Sequence, residues 1–172
     1  MTAVLAPPAL APLLAEVRAV LPGATDWADV ASTLAGRLRG LLPRPEDVLA
    51  AEQLAGEPDG TRTHTLHVEP DGSFSVVALV ARPGQTTRIH DHVTWCVFGV
   101  VQGVEEEELY VLEGDELRFV GTSHNRVGDI SGFAPPGDIH RVSTPGPEVA
   151  VSVHVYGTDI SRIGTSVRRY YN

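Results

Sequence analysis

From Gly60 onward the sequence breaks into short runs rich in Val, Thr, Phe and Tyr, and this feature constrains the fold more than any other. Turn residues such as Asp71-Gly72 and Pro83-Gly84 separate the runs. Short strands at such regular spacing favour an all-β sandwich or small barrel. We expect eight strands, at 63–68, 74–81, 94–101, 107–113, 116–120, 125–130, 140–143 and 150–156.

The first sixty residues instead carry apolar side chains at helical spacing. We expect helices at 9–21, at 27–42 with Asp26 as its N-cap, and from Pro45 to about Leu54. The chain is therefore predicted to be mainly β, with a helical segment (1–60) that packs on a barrel (61–172) within a single domain.

Charge and composition narrow the class of partner. The chain of 172 residues has 13 Lys and Arg against 22 Asp and Glu, a net charge of −9, which disfavours nucleic acid and anionic membranes and leaves a small molecule as the expected partner. No apolar run reaches the roughly 18–20 residues of a membrane span, and the start of the chain lacks the positive region of a signal peptide. Because its one cysteine cannot pair within the chain, we expect a reduced, cytoplasmic protein. We also expect a monomer or weak homo-oligomer.

All seven histidines lie in the β-rich part of the chain. His90 and His92 are two residues apart, so on a strand both imidazoles point to the same side and can share one metal ion. Neutral imidazole is the commonest transition-metal ligand. A bare His-x-His is nevertheless more often a pair of surface or core-lining histidines, whereas His124, in a turn-like stretch, is expected to be solvated.

The spacing around these histidines follows two motifs of the cupins, a family of double-stranded β-helix (jelly-roll) proteins. Gly84-(x5)-His90-x-His92-(x3)-Cys96-(x6)-Gly103 resembles the first motif, with cysteine where glutamate is usual, and Pro135-x-Gly137-(x2)-His140 resembles the second. The resemblance implies a cupin barrel and a metal site made of His90, His92 and His140.

A narrower resemblance, to the cysteine dioxygenase family of thiol dioxygenases, covers about residues 63–156. It is carried by the segments HDHVTWCVFGVVQG, GFAPPGDIHRV and SVHVYG, while GSFSVVALVARPGQTTRIHDH is similar to the bacterial branch that includes 3-mercaptopropionate dioxygenases. The resemblance implies Fe(II) on the three histidines, a small thiol and O2 as substrates, and a Ser152-His154-Tyr156 network. It also implies that Cys96 can form a thioether with Tyr156.

The alternation of side chains along the predicted strand 150–156 agrees with this network, because residues 152, 154 and 156 face one side of the strand. The same pattern also fits an exposed polar strand face, and from this strand alone its orientation stays open. The acidic run 105–108 is expected to be a solvated strand end without a function.

The carboxylate of a thiol substrate calls for an arginine, since a guanidinium donates two parallel hydrogen bonds. The family's strand arginine falls at His64 here, with Arg62 two residues earlier, and the bacterial branch uses an arginine in the C-terminal stretch, where this chain has Arg168 and Arg169. We expect Arg168 to bind the carboxylate, and Arg169 and Arg62 are the next candidates. The alternatives are a non-catalytic cupin that binds a small metabolite and a zinc-dependent cupin.

Overall fold

A computed structural model of the chain describes residues 6–172. The first five residues of the segment predicted at 1–60 lie outside this range. The described helices are α1 Ala11–Val20, α2 Trp27–Arg37, α3 Ala51–Leu54 and α4 Ile160–Ile163. The described strands are β1 Arg62–Val68, β2 Ser75–Ala81, β3 His90–His92, β4 Cys96–Gln102, β5 Val104–Glu113, β6 Glu116–Arg126, β7 Ile130–Phe133, β8 Ile139–Ser143, β9 Ala150–Tyr156 and β10 Val167–Tyr170.

The strands form two antiparallel sheets of five, in the orders β1-β2-β9-β4-β7 and β10-β3-β8-β5-β6. The separate strand predicted at 125–130 was wrong, because β6 runs unbroken to Arg126 and β7 starts only at Ile130. Strands β3 and β10 were not predicted. They pair with each other, so the C-terminal stretch lies directly against the strand that carries His90 and His92.

The helices begin close to where the sequence placed them. Asp26 caps α2 as expected, since its Oδ1 accepts a hydrogen bond of 2.9 Å from the backbone N–H of Asp29. The continuous helix predicted from Pro45 to Leu54 was wrong. A short 3-10 turn at Pro45–Asp47 is followed by extended backbone at Ala50 (φ −72°, ψ 159°), and α3 starts only after it. Across residues 6–172, no helix is long and apolar enough to cross a membrane.

The N-terminal helices cover the outer face of the first sheet. Their buried leucines and valines join the valines of β2, β4 and β9 in one apolar cluster. At Gly132 in β7, an added Cβ would lie 2.5 Å from the carbonyl oxygen of Ala31 in α2. Glycine there allows the helix to approach the sheet closely.

Strand β9 lies at the centre of the first sheet and is buried along its whole length. Val151, Val153 and Val155 belong to the cluster under the helices. The alternate residues Ser152, His154 and Tyr156 therefore point to the other face, between the two sheets. This settles the orientation that the sequence left open.

Candidate metal centre

Three buried histidines from the second sheet meet between the sheets. His90 and His92 lie on β3, and His140 lies on β8 directly opposite His90. One ring nitrogen of each lies within 4.8 Å of the others, and the Nε2 atoms of His90 and His140 are 3.3 Å apart. The three residues named from the cupin motifs are therefore brought together.

Each of these rings has a hydrogen-bond acceptor at its other nitrogen. The Nδ1 atoms lie 2.8 Å from the carbonyl oxygen of Arg88 for His90, 3.1 Å from Asp138 Oδ2 for His92, and 2.6 Å from Glu107 Oε1 for His140. These acceptors assign the ring proton to Nδ1 in all three rings. The Nε2 lone pairs are thus left to converge on one point, the arrangement that metal-ligating histidines have.

Burial keeps the imidazoles of His90 and His92 in the neutral form that binds metals. Desolvation is the largest cause that lowers the pKa of His90 to about 3, and the nearby His140 and His92 lower it further. Desolvation also lowers the pKa of His92, although the bond to Asp138 opposes it. No carboxylate or thiol joins the three nitrogens among the described residues. The donor set fits a divalent transition metal held by neutral imidazoles alone.

Beside these histidines, the side chains of β9 form an internal line of hydrogen bonds. The Ser152 hydroxyl lies 2.8 Å from His154 Nε2, and the Tyr156 hydroxyl lies 3.2 Å from His154 Nδ1. The ring centroid of Tyr156 is 6.2 Å from that of His92. Desolvation lowers the pKa of His154 to about 3 and raises the pKa of Tyr156 well above its usual range, so both side chains are neutral. An uncharged polar line thus borders the metal centre.

The acidic run 105–108 alternates between inside and outside. Glu105 and Glu107 are 1% and 4% exposed, so the solvated strand end predicted for this run was wrong for these two residues. Glu107 accepts from His140, and Glu105 accepts from Ser152. Outside, Glu108 pairs with Arg141. The two-residue period of a strand was the signal that could have distinguished the buried Glu105 and Glu107 from Glu106 and Glu108 on the other face.

Asp138 is a third acidic residue that the sequence did not reveal. Its side chain is almost completely buried, and Oδ2 accepts from both the backbone N–H and the ring of His92, at 2.9 and 3.1 Å. Desolvation opposes ionisation, but the bonds from His92 outweigh it and lower the pKa of Asp138. A carboxylate two residues before His140 could have been noticed as a partner for a ligating imidazole.

Cys96, where the cupin motif usually has glutamate, lies on β4 directly opposite Tyr156 of β9. The two residues share a small buried cluster with Val77 and Phe98. The Cys96 Sγ is 3.8 Å from His154 Nδ1, so the thiol borders the polar line instead of joining the histidine cluster. Burial raises the pKa of this thiol well above its usual range, and it is neutral.

The residues considered for substrate binding lie in different surroundings. Arg62 is exposed and pairs with Asp59, and His64 Nδ1 lies 3.1 Å from the amide nitrogen of Gln53. Arg169 binds the buried carboxylate of Asp91, where it anchors β10 to β3. Arg168, the first choice, is exposed on β10, and no carboxylate pairs with it among the described residues.

One arginine near the centre was missed by the sequence reading. The guanidinium carbon of Arg88 lies 4.3 Å from the ring centroid of Tyr170. Tyr170 is directly opposite His90 in the β10–β3 pair, which places both side chains on one face of the sheet. Within residues 6–172, no carboxylate lies within ion-pair distance of Arg88. Its position two residues before His90 could have indicated that it lies near the histidine cluster.

Comparisons with known proteins bear on the fold. No protein-family model matches the chain. A conserved protein with a double-stranded β-helix domain from Klebsiella pneumoniae subsp. pneumoniae is 22% identical, with a TM-score of 0.50, over 65% of this chain and 90% of that one. An oxalate oxidase in complex with glycolate is 19% identical, with a TM-score of 0.48, over 60% of this chain and 53% of that one.

An oxalate decarboxylase from Lactobacillus farciminis, in complex with formate, is 17% identical, with a TM-score of 0.48, over 60% of this chain and 30% of that one. The chain thus spans about half the length of the oxalate oxidase, and less of the decarboxylase. The two antiparallel sheets, the N-terminal helices and the likeness to the Klebsiella protein together identify the fold as the cupin double-stranded β-helix.

Proposed function

We propose that this protein is an iron(II)-dependent thiol dioxygenase. It would add both atoms of O2 to the sulfur of a small thiol carboxylate, similar to 3-mercaptopropionate or cysteine, so that RSH and O2 give the sulfinic acid RSO2H. One observation carries the proposal: three imidazole nitrogens converge, with no carboxylate joining them within residues 6–172, beside a buried Ser-His-Tyr line.

The ligand set supports an anionic substrate. Three neutral imidazoles would leave a ferrous ion its full divalent charge, whereas a carboxylate ligand would cancel part of it. When bound, this ion would stabilise the thiolate form of the substrate and supply the redox chemistry that oxygen activation needs. The protein would then need no strong base to ionise the thiol.

The protein's own side chains would orient the ligands and the substrate. Glu107 and Asp138 fix the rings of His140 and His92 through their Nδ1 atoms. The Tyr156 hydroxyl, held by His154, is available to a substrate atom or to oxygen beside the histidine cluster. Because Tyr156 and His154 are buried, water is excluded from this side of the centre and their hydrogen bonds are strengthened.

We assign the substrate carboxylate to an arginine at the edge of β10 and β3. Arg168 is our first choice, and Arg88 is the alternative that its place beside Tyr170 and His90 supports. Each is without an acidic partner among the described residues. A guanidinium–carboxylate pair contributes about 1.5–3 kcal/mol, or a tenfold to hundredfold gain in affinity.

The test is a substrate profile of iron-loaded protein. Cysteine, 3-mercaptopropionate, cysteamine and mercaptosuccinate are incubated under oxygen, with oxygen uptake and sulfinic acid measured together. We expect one O2 consumed per sulfinate formed, with a carboxylate thiol preferred. The zinc-loaded protein is the matched control and should consume no oxygen. Binding of a thiol without oxygen uptake would indicate a non-catalytic cupin, and hydrolytic or hydration activity in the zinc form alone would indicate a zinc enzyme.

A further inference from the structure

The polar line on β9 does not end at Ser152. The Ser152 hydroxyl also lies 2.7 Å from Glu105 Oε1, on β5 of the opposite sheet. Glu105 is 1% exposed, and no described protein group donates a hydrogen bond to its second oxygen, Oε2. A buried chain of four side chains thus runs from Glu105 through Ser152 and His154 to Tyr156. Its far end is a carboxyl group for which the proposed reaction has no evident need.

We propose that the protonation state of Glu105 sets the direction of this hydrogen-bond chain, and so decides whether the Tyr156 hydroxyl donates to His154 or is free to donate beside the histidine cluster. Glu105 would be a positioning residue, since it acts through Ser152 and His154. Its catalytic importance rests on the proposed thiol dioxygenase function, whereas the direction of the chain does not.

The two directions follow from which atoms can donate. Neutral Glu105 donates from Oε1 to Ser152, Ser152 donates to His154 Nε2, and the proton on His154 Nδ1 is donated to the oxygen of Tyr156. The Tyr156 O–H then has no acceptor among these four side chains, and it is free to donate to Ser166, its other hydrogen-bond neighbour, or to a group beside the histidine cluster. With ionised Glu105, Ser152 donates to the carboxylate, His154 donates from Nε2 to Ser152, and Tyr156 donates to His154 Nδ1.

The two states differ by one proton. When the neutral chain reverses, each proton moves one step toward Tyr156 and a single proton leaves from the tyrosine end to a base or to solvent. All three heavy-atom contacts stay in place, and the histidine changes only its tautomer. The chain is therefore able to pass one proton between the interior and the substrate side of Tyr156 without charging His154.

The surroundings of Glu105 place both states within reach at neutral pH. The titratable groups that face it are Glu107 on its own strand and the neutral His154 and Tyr156 on β9, while β6 contributes the uncharged Asn125 opposite it. Desolvation and the charge of Glu107 raise the pKa of Glu105 to about 7, and the bond from Ser152 opposes this. An arginine or lysine next to the carboxyl would hold it ionised, and the chain contains no such pair among the described residues.

The tautomer of His154 reports the direction and can be read without turnover. Long-range ¹H–¹⁵N NMR spectra distinguish a proton on Nδ1 from one on Nε2, and they are recorded from pH 5 to pH 9 on metal-free protein and on the diamagnetic zinc form. In the parent protein we expect the proton on Nδ1 at low pH and on Nε2 at high pH, with a midpoint near 7. A tautomer that stays the same across this range in the parent would overturn the proposal, and this measurement requires no variant.

Two variants locate the effect. Glu105→Gln keeps a donor facing Ser152 at every pH, so His154 should stay protonated on Nδ1 up to pH 9. Glu106→Gln, one residue further along β5 on the other face of the strand, should titrate like the parent. If Glu105→Gln switched its tautomer with the same midpoint as the parent, the titrating group would be another residue and the proposal would be wrong.

Activity provides the second readout. In the iron-loaded parent, kcat for thiol oxidation should fall about fivefold from pH 7 to pH 8 and about tenfold more from pH 8 to pH 9, because the population with a free Tyr156 hydroxyl declines above the midpoint. Glu105→Gln should remove this decline and leave KM unchanged. A tautomer switch in protein that does not oxidise thiols would support the role of Glu105 while contradicting the proposed function. A decline with pH that persists in Glu105→Gln would contradict the role of Glu105.

Discussion

The carboxyl group of Glu105 should make the stability of the protein depend on pH, and replacing it with glutamine should remove that dependence. Burial favours the neutral acid in the folded chain and raises its pKa from the usual 4.5 to about 7. In the unfolded chain the carboxyl is solvated and ionises near its usual value. Between these two pH values the folded state therefore holds a proton that the unfolded state has released.

The sign follows from this difference in bound protons. Because the unfolded state binds fewer protons in the window, the free energy of unfolding falls as the pH rises through it. The window covers about 2.5 pH units, and each unit corresponds to about 1.4 kcal/mol, so the loss is about 3 kcal/mol in all. Below about pH 4.5 the group contributes no difference, and above about pH 7 the loss is complete.

Urea denaturation at pH 5, 6, 7 and 8 measures the effect. Glu105→Gln and the parent share every other titrating group, so the difference between their free energies of unfolding isolates Glu105. We expect the variant to gain about 2.5 kcal/mol relative to the parent from pH 5 to pH 8, most of this between pH 5 and pH 7. Glu106→Gln, on the outer face of the same strand, should change little. A difference between Glu105→Gln and the parent that stays constant with pH would refute the assignment of a buried neutral carboxyl.

Three further predictions concern the metal centre and the substrate. Asp138→Ala removes the carboxylate that orients one ligating ring and should weaken iron binding about 10- to 100-fold in a competition assay with a chelator; Asp138→Asn, which keeps an acceptor oxygen, should lose less, and equal affinities would contradict the role. After turnover under oxygen, the intact mass should fall by two hydrogens, since a C–S bond between Cys96 and the ring of Tyr156 forms as O2 takes up both; an unchanged mass after full turnover would contradict the crosslink. Arg168→Ala should raise KM for carboxylate thiols about 10- to 100-fold and leave cysteamine unaffected. If Arg88→Ala shows that pattern instead, the carboxylate belongs to Arg88, and a parallel loss for both thiols in either variant would point to a structural role.

The cluster of three histidines could be predicted from the sequence because the information for it is local. A two-residue spacing on a strand fixes the relative directions of His90 and His92, and a turn motif precedes His140. The same alternation correctly grouped Ser152, His154 and Tyr156. The side of the sheet that these residues face depends on where the helices pack. That is a property of the whole fold, and the sequence of one strand does not determine it.

The acidic residues that contact this cluster and the line on β9 could not be predicted in the same way, because their partners are distant in the sequence. Glu105 meets Ser152, 47 residues away, and Glu107 meets His140, 33 residues away. A run of four acids is ordinarily solvated, since burying a carboxylate is costly unless it is hydrogen-bonded. Here the neighbouring strands supply those bonds only after the two sheets have formed. Tertiary contacts therefore overrode the local reading.

The C-terminal strand illustrates a third case. Four residues of β10 are too few to show a period, and their charge is typical of a surface tail. The strand forms because Asp91 on β3, buried between His90 and His92, accepts from Arg169 and from the hydroxyl of Tyr171. These contacts are charge-assisted and hold the chain end against the metal centre. The predicted carboxylate-binding stretch thus lies at the site, although Arg169 has a different partner.

Isotope labelling of the product shows whether the three-histidine centre catalyses the addition of both oxygen atoms of O2 to a thiol. Iron-loaded protein is supplied with ¹⁸O2 and the best thiol of the substrate profile, and the mass of the sulfinic acid is measured by mass spectrometry. His140→Ala is the variant that removes one proposed ligand, and His124→Ala, at an exposed histidine, is the control. We predict two ¹⁸O atoms in each product molecule from the parent and from His124→Ala, and neither bound iron nor labelled product from His140→Ala. A product with one labelled atom or none, or full activity and iron content in His140→Ala, would contradict the account.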